Sequence, residues 1–465
     1  MSQGLPEGPY DILDVGDGVH APWYIIPFDK KGRPTGPRTI TNLIESARQK
    51  YTHIFIFSHG WNNDWKAASE RYNHFIRGYV QMRKDHGLTH TQPHRPLLVG
   101  IFWPSASLVL PWERAPKIGA ANERADDIGV AEAQREIQEL ANDIPEEHLA
   151  EFYDMAQSSS LSQEKALQLA RILHGSFRSY RDPDEGPADT IASPEQLLNL
   201  WLSMPETEGL PAEIGEFGFA RDAARTPTAA LAVGDLNPRN ILRLATVLQM
   251  KDRAARVGAY GVGPLLRDLV KANPPAHVHL IGHSYGCVVL LSSLCHPSDE
   301  PNPPQVESTL LLQPAVSQWC FAADVAGRGY AGGYRRALQQ VKQPILTTFT
   351  KHDFPLTRVF HVAVRRSKDL GQPVIAAAAL PSAPSKYAAL GGYGPAGLTS
   401  GEFQVLPMEG PVRSYHFQIP NPHVCALNAD QKIAGHGEIS NPAAWWTLYE
   451  QVERKGLGAP STDPR

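Results

Sequence analysis

The chain has 465 residues, 42% hydrophobic and 20% charged, with a formal net charge of −4; that length allows one large α/β domain carrying an insertion as readily as two domains. This balance lacks the strong basic bias of a nucleic-acid-binding protein, so no nucleic-acid partner is expected. No stretch reaches the roughly 20 uninterrupted apolar residues of a membrane span, and "MSQGLPEGPYDILDVGDG" has neither the basic start nor the apolar core of a secretory leader. The expected location is cytoplasmic, with signal-independent export left open.

In chain order, "WYIIPFDKKGR" (Trp23 to Arg33) reads as a first strand with a turn, and "TITNLIESARQKY" as a short amphipathic helix opened by threonine. His53 to Phe57 is a strong strand candidate that ends in Ser58-His59-Gly60-Trp61, a polar break at the edge where open parallel sheets bind ligands. A long helix, "WKAASERYNHFIRGYVQMRKDHG", and a strand, "RPLLVGIFWPS", follow. Between them "HGLTHTQPHR" gathers histidines, but its proline and polar setting predict a solvated loop rather than a metal site.

From Pro111 to Asn240 the pattern is helical, broken by proline and glycine and without convincing strands, and is read as an insertion. Another helical stretch, "NILRLATVLQMKDRAARVGAYGVGPLLRDLVKANP", leads to "VHLIGHSYGCVVLL", which reads as strand, tight turn and helix. The glycines of "GAYGVGPLL" follow no strand, which removes the geometry that cradles a phosphate. "ESTLLLQPAV" and "PILTTFTKHD" are two further strands, and Arg365 to Gly410, low in charge and rich in Ala, Pro and Gly, is read as an irregular loop. Within it, Val374 to Gly397 suits a long surface loop or a mobile lid presenting apolar surface to a lipid. "HVCALNAD" makes a last short strand, "NPAAWWTLYEQVERKG" a final helix, and residues 458–465 a disordered tail. Cys287, Cys295, Cys320 and Cys425 lie in or beside apolar segments without C-x-x-C spacing, and read as small buried hydrophobes.

In "GHSYG" the central serine occupies a strained turn, and Gly282 and Gly286 keep its neighbours from colliding with the adjoining strand and helix. A hydroxyl placed there stands above the sheet edge at a helix N-terminus, where developing negative charge is favoured. It becomes a nucleophile only with a base, and the base works best when a carboxylate fixes its tautomer. Asp353, at the end of "ILTTFT", is the leading acid and Asp430 the rival. His436, in a glycine-flanked loop before the last helix, is the leading base over His361, His416 and His423. His283 and His352 adjoin the proposed nucleophile and acid, so their side chains are expected to point elsewhere. Two main-chain donors must also face the oxyanion: Tyr285 directly after the serine, and Trp61, with Gly60 close behind, in "SHGWNND".

With "FSHGW" after an early strand, "GHSYG" at the elbow, Asp353 after a later strand and His436 before the last helix, the chain resembles the α/β-hydrolase superfamily over Trp23 to Ala106 and Arg243 to Leu457. The resemblance implies a doubly wound, mostly parallel sheet whose core is split between residues 1–110 and 241–457. Residues 111–240 form a helical insertion, placed after an earlier strand than the caps of that family usually are. It further implies Ser284 as nucleophile, His436 as base, Asp353 as its orienter, and donors near Trp61 and Tyr285. The expected function is hydrolysis of a small-molecule or lipid ester through an acyl-serine, without metal or organic cofactor and with transient lipid-surface contact as a sharper variant. An acyltransferase or amidase using the same residues, and a non-catalytic binding module on the same fold, remain open, as does the oligomeric state.

Overall fold

The computed structural model describes residues 7–105 except 62 and 64, 144–176 except 159, 238–295, 305–360 except 328, and 387–453, with 137, 140, 141, 193–195, 197, 198 and 236 of the insertion. Most of the predicted insertion, residues 374–386 of the expected lid, His361 and the tail lie outside these residues.

Among the described residues the strands are β1 (Asp11–Asp14), β2 (His20–Pro27), β3 (His53–Ser58), β4 (Pro96–Phe102), β5 (His277–His283), β6 (Ser308–Leu312), β7 (Ile345–Phe349), β8 (Phe403–Pro407) and β9 (Val424–Asn428). They form one nine-stranded sheet in the order β1-β2-β4-β3-β5-β6-β7-β9-β8. Only β1 runs antiparallel to its neighbour; every pairing from β2 to β8 is parallel. In β3 the alternation is plain, with Ile54 and Ile56 in one apolar core and Phe55 and Phe57 in the other. A strand covered on both faces reads as an unbroken apolar run, which is why β3 and β5 stand out in the sequence.

Helices α1 (Pro37–Ala47), α2 (Trp65–Asp85), α3 (Glu146–Ala156), α4 (Gln163–Ser176), α5 (Pro238–Val257), α6 (Gly263–Ala272), α7 (Tyr285–Cys295) and α8 (Pro442–Glu453) cover the two faces. Residues of α1, α5, α6 and α7 share one core, and those of α2 and α8 the other. Phe152, Met155, Leu169 and Leu173 carry α3 and α4 into the α5 side of the first core, so this part of the insertion extends one face of the sheet. A π-helical turn, Gly258–Val262, joins α5 to α6 and packs on α7, which gives the glycines of "GAYGVGPLL" a packing role. Among the described residues, no helix is long and apolar enough to cross a membrane.

Two strands depart from the sequence reading. β1 was not anticipated, and β8 lies inside the stretch expected to be irregular. Both are short edge strands: "DILD" buries only Leu13, and "FQVLP" ends in a proline, so neither carries a long apolar run. The described half of the expected lid is also different. Ala388 to Gly392 are buried, with Leu390 N donating to Val316 O (2.8 Å) and Gly391 N to Pro314 O (3.0 Å). This segment braces the interior behind β6 and β7 instead of presenting apolar surface outward.

Candidate active site

Because the strands are parallel and in register, Ser58, Gly282, Leu311 and Thr347 stand side by side across β3, β5, β6 and β7, and the loops that follow gather at one edge. Ser284 leaves β5 there with φ +54, a left-handed backbone that costs a non-glycine residue about 1–3 kcal/mol. The turn is held by Ser284 N donating to Leu312 O (3.1 Å), and by Ser284 O accepting from Cys287 N (3.1 Å) and Ala315 N (3.3 Å). Two close approaches demand glycine. A Cβ on Gly286 would sit 2.2 Å from Ser58 O and 2.5 Å from His59 O, and one on Gly60 would sit 2.7 Å from Ser284 Cβ. Lacking both, the end of β3 lies directly against the elbow.

Three segments converge on the serine. Ser284 Oγ is 2.9 Å from His436 Nε2, and His436 Nδ1 is 2.6 Å from Asp353 Oδ2. All three side chains are buried: Ser284 and Asp353 are 0% exposed and His436 3%. Asp353 Oδ1 accepts from Leu356 N (2.9 Å) and Oδ2 also accepts from Gln313 Nε2 (2.9 Å), so both carboxylate oxygens are fixed. With its proton on Nδ1 facing the acid, the imidazole leaves Nε2 to accept the serine hydroxyl. That is the arrangement in which a hydroxyl can be deprotonated as it attacks.

The remaining candidates fall elsewhere. Asp430 receives Thr350 Oγ1 (3.1 Å) and Lys351 N (2.9 Å) and pairs with Lys351 Nζ at 3.4 Å, fastening the loop that leads to His436. His352, His416 and His423 are exposed. His283 corrects an expectation: its side chain does return to the site, Nε2 donating to His436 O at 2.9 Å with the rings 5.0 Å apart. It holds the backbone of the base.

The loop after β3 is built as tightly. Trp103 N donates to His59 Nε2 (3.3 Å), which leaves the His59 proton on Nδ1 to be donated to Gly60 O (2.8 Å). Asn63 Nδ2 donates to Gly60 O (3.1 Å) and Trp61 O (2.8 Å). In a trans peptide the carbonyl and the following N–H point in opposite directions, so pinning Gly60 O fixes where Trp61 N–H points. Tyr285 opens α7, and its ring lies 6.1 Å from that of Trp61. Sequence reasoning did not single out Asn63 or Gln313, and met His59 only as part of the polar break that ends β3. Their only signal was a polar side chain within one to five residues of a strand's carboxyl end.

Most of "HGLTHTQPHR", His86 included, is exposed loop as expected, but His90 and His94 turn inward. The rings of His90 and His94 stack at 3.5 Å, His94 lies 4.7 Å from His53, and His53 lies 5.4 Å from both His277 and His279. They collect at the amino ends of β3 and β5, the far edge from Ser284, beside a cavity of about 680 Å³ that Tyr51, Glu307 and Glu453 also line. Burial, with His277 and His90 nearby, pushes His53 down to about 4, and burial likewise drives His94 and His279 down. Among the described residues, no group of three or more His, Cys, Asp or Glu side chains is placed to hold a metal ion. The four cysteines are buried and joined in no disulfide, and burial pushes Cys295 and Cys425 up to about 12.

No protein-family model, no curated protein and no solved structure matches this chain.

Proposed function

We propose that the chain is a serine hydrolase of the α/β-hydrolase kind that cleaves carboxylic esters. The observation carrying this reading is the buried row Ser284–His436–Asp353, with contacts of 2.9 and 2.6 Å, on a serine held at φ +54 between a strand and a helix N-terminus. A strained serine at a strand-to-helix turn, with acid and base following it in chain order, is the arrangement that presents an acyl-transfer nucleophile.

Ser284 Oγ attacks the ester carbonyl carbon while His436 Nε2 takes its proton. The tetrahedral oxyanion is met by main-chain N–H groups of Trp61 and Tyr285, with Gly60 beside the serine giving the acyl group room. Collapse breaks the bond to the alcohol oxygen, which leaves with the proton from His436. Water then gives a proton to His436 and attacks the acyl-serine, and the second collapse releases the acid and restores Ser284. Asp353 keeps the Nδ1 proton in place and stabilises the imidazolium in both halves.

A fluorophosphonate probe and a series of p-nitrophenyl esters of increasing acyl length, below and above the micellar transition, test the reading. Wild type labels and turns over; Ser284→Ala abolishes both, whereas His352→Ala keeps most of the activity. Failure of wild type to label would overturn the proposal. Product analysis with added alcohol or amine separates water from another acyl acceptor.

A further inference from the structure

We propose that Gln313 is a positioning residue of the serine–histidine–aspartate row, holding the Asp353 carboxylate in the one orientation that receives His436 Nδ1. The inference rests on the hydrolase reading above and adds a member that the G-x-S-x-G pattern does not contain.

Gln313 immediately follows β6, whose neighbour β5 delivers Ser284. It is 0% exposed and has φ +45, a left-handed backbone that side-chain-bearing residues adopt rarely. Such a conformation persists only where the surroundings impose it. Here Gln313 N donates to Thr348 Oγ1 (2.9 Å), and Thr348 Oγ1 donates its single proton to Gln313 Oε1 (2.8 Å). The hydroxyl thereby settles which end of the amide faces which way. Oε1 is committed to Thr348, and Nε2 turns to Asp353 Oδ2 at 2.9 Å, with Gly391 O at 3.4 Å as a second acceptor.

The consequence follows from counting donors. Asp353 Oδ1 is held by Leu356 N, and Oδ2 by His436 Nδ1 and Gln313 Nε2. Without Gln313, the only donor left on Oδ2 among the described residues is the imidazole whose orientation the carboxylate is meant to fix. The carboxylate then turns about its own axis as the imidazole moves, and the proton on Nδ1 loses its fixed partner. The amide has an electrostatic effect too. By drawing charge from Oδ2 it weakens the hold of the carboxylate on an imidazolium.

The test uses the full chain and two substitutions. Gln313→Met keeps the length and removes the donor. Its kcat on a p-nitrophenyl ester is expected to fall about 10-fold, far less than the roughly 10⁴-fold that loss of a properly oriented carboxylate costs, while KM stays within about twofold. The acid limb of kcat/KM is expected to move to higher pH, because the unshared carboxylate now favours the imidazolium more. A residue that only fills space would leave that limb where it is in wild type. Gln313→Glu keeps the shape and replaces the donor with a group that needs a proton to donate. Its activity is expected to be lowest at alkaline pH and to recover as pH falls, so this variant decides the matter even if Gln313→Met does not accumulate as folded protein. An active wild type together with either an unmoved acid limb in Gln313→Met or a wild-type pH profile in Gln313→Glu would overturn the positioning role. A wild type that neither labels nor turns over would instead defeat the hydrolase reading beneath it.

Discussion

At the residue scale, Ser284, Asp353 and His436 were readable because each stands next to a pattern that a short window reveals: two glycines around a serine, an acid ending an apolar run, a histidine between glycines. Gln313 and Asn63 were not, because what makes them matter is what they touch. Asn63 reaches back two and three residues to Trp61 O and Gly60 O, and Gln313 reaches forward to Thr348 and Asp353. Asn63→Ala should free the Gly60–Trp61 peptide and lower kcat by about 10- to 100-fold with KM little changed, since an oxyanion donor is stronger in the transition state than in the ground state. The rate of fluorophosphonate labelling should fall in proportion, as its phosphorus passes through a similarly charged geometry; an unchanged labelling rate would place Asn63 outside the site. Asp353→Asn, by favouring the wrong imidazole tautomer, should lose about 10⁴-fold in kcat without loss of fold. Steady-state kinetics alongside circular dichroism measures both.

At the element scale, the strands buried on both faces announced themselves as continuous apolar runs, while β1 and β8, at the two ends of the sheet, did not. An edge strand pairs on one side only and is anchored by few inward side chains, so its sequence need satisfy little. The strand–turn–helix unit of β5 and α7 is the opposite extreme, with close contact on every side. Gly286→Ala sets a methyl group 2.2 Å from the Ser58 carbonyl, backbone that gives way only if β3 and α7 part. We expect it to lower unfolding stability by about 3 kcal/mol, near the upper end for overpacking, read as a reduced urea midpoint. Gly401→Ala, where an added Cβ meets nothing within 4 Å, should leave the midpoint nearly unchanged.

At the scale of the whole molecule, the alternation of strands and helices predicted an α/β sheet, but no local pattern could predict that five histidines from β3, β5 and the loop before β4 would meet. His53 and His277 open their strands, and His90 and His94 arrive along the loop, so the cluster exists only once the sheet has formed. Its effect on stability has a definite sign. Buried His53 takes a proton only near pH 4, whereas an unfolded histidine does so near pH 6.5, so the unfolded chain binds more protons between these values. Stability contributed by the neutral ring is complete above about pH 6.5 and declines toward pH 4, by up to about 1.4 kcal/mol per pH unit for each such histidine. Glu453, whose burial is outweighed by hydrogen bonds from His90 and Thr91 that hold it near 2 in the fold, contributes stability lost only below about pH 4.5, outside that window. The urea midpoint should therefore fall between pH 7 and pH 5, and fall less in His94→Phe, which keeps a ring in the stack and removes one titrating group. Equal losses in both proteins would exclude the cluster as the cause.

Every residue of α7, from Tyr285 to Cys295, is buried. A helix without a solvent-facing side cannot fray or shift by itself, and its amide hydrogens should exchange with deuterium only through opening of the entire sheet. Ser284, fixed to its first turn, is therefore the stationary partner at the rim.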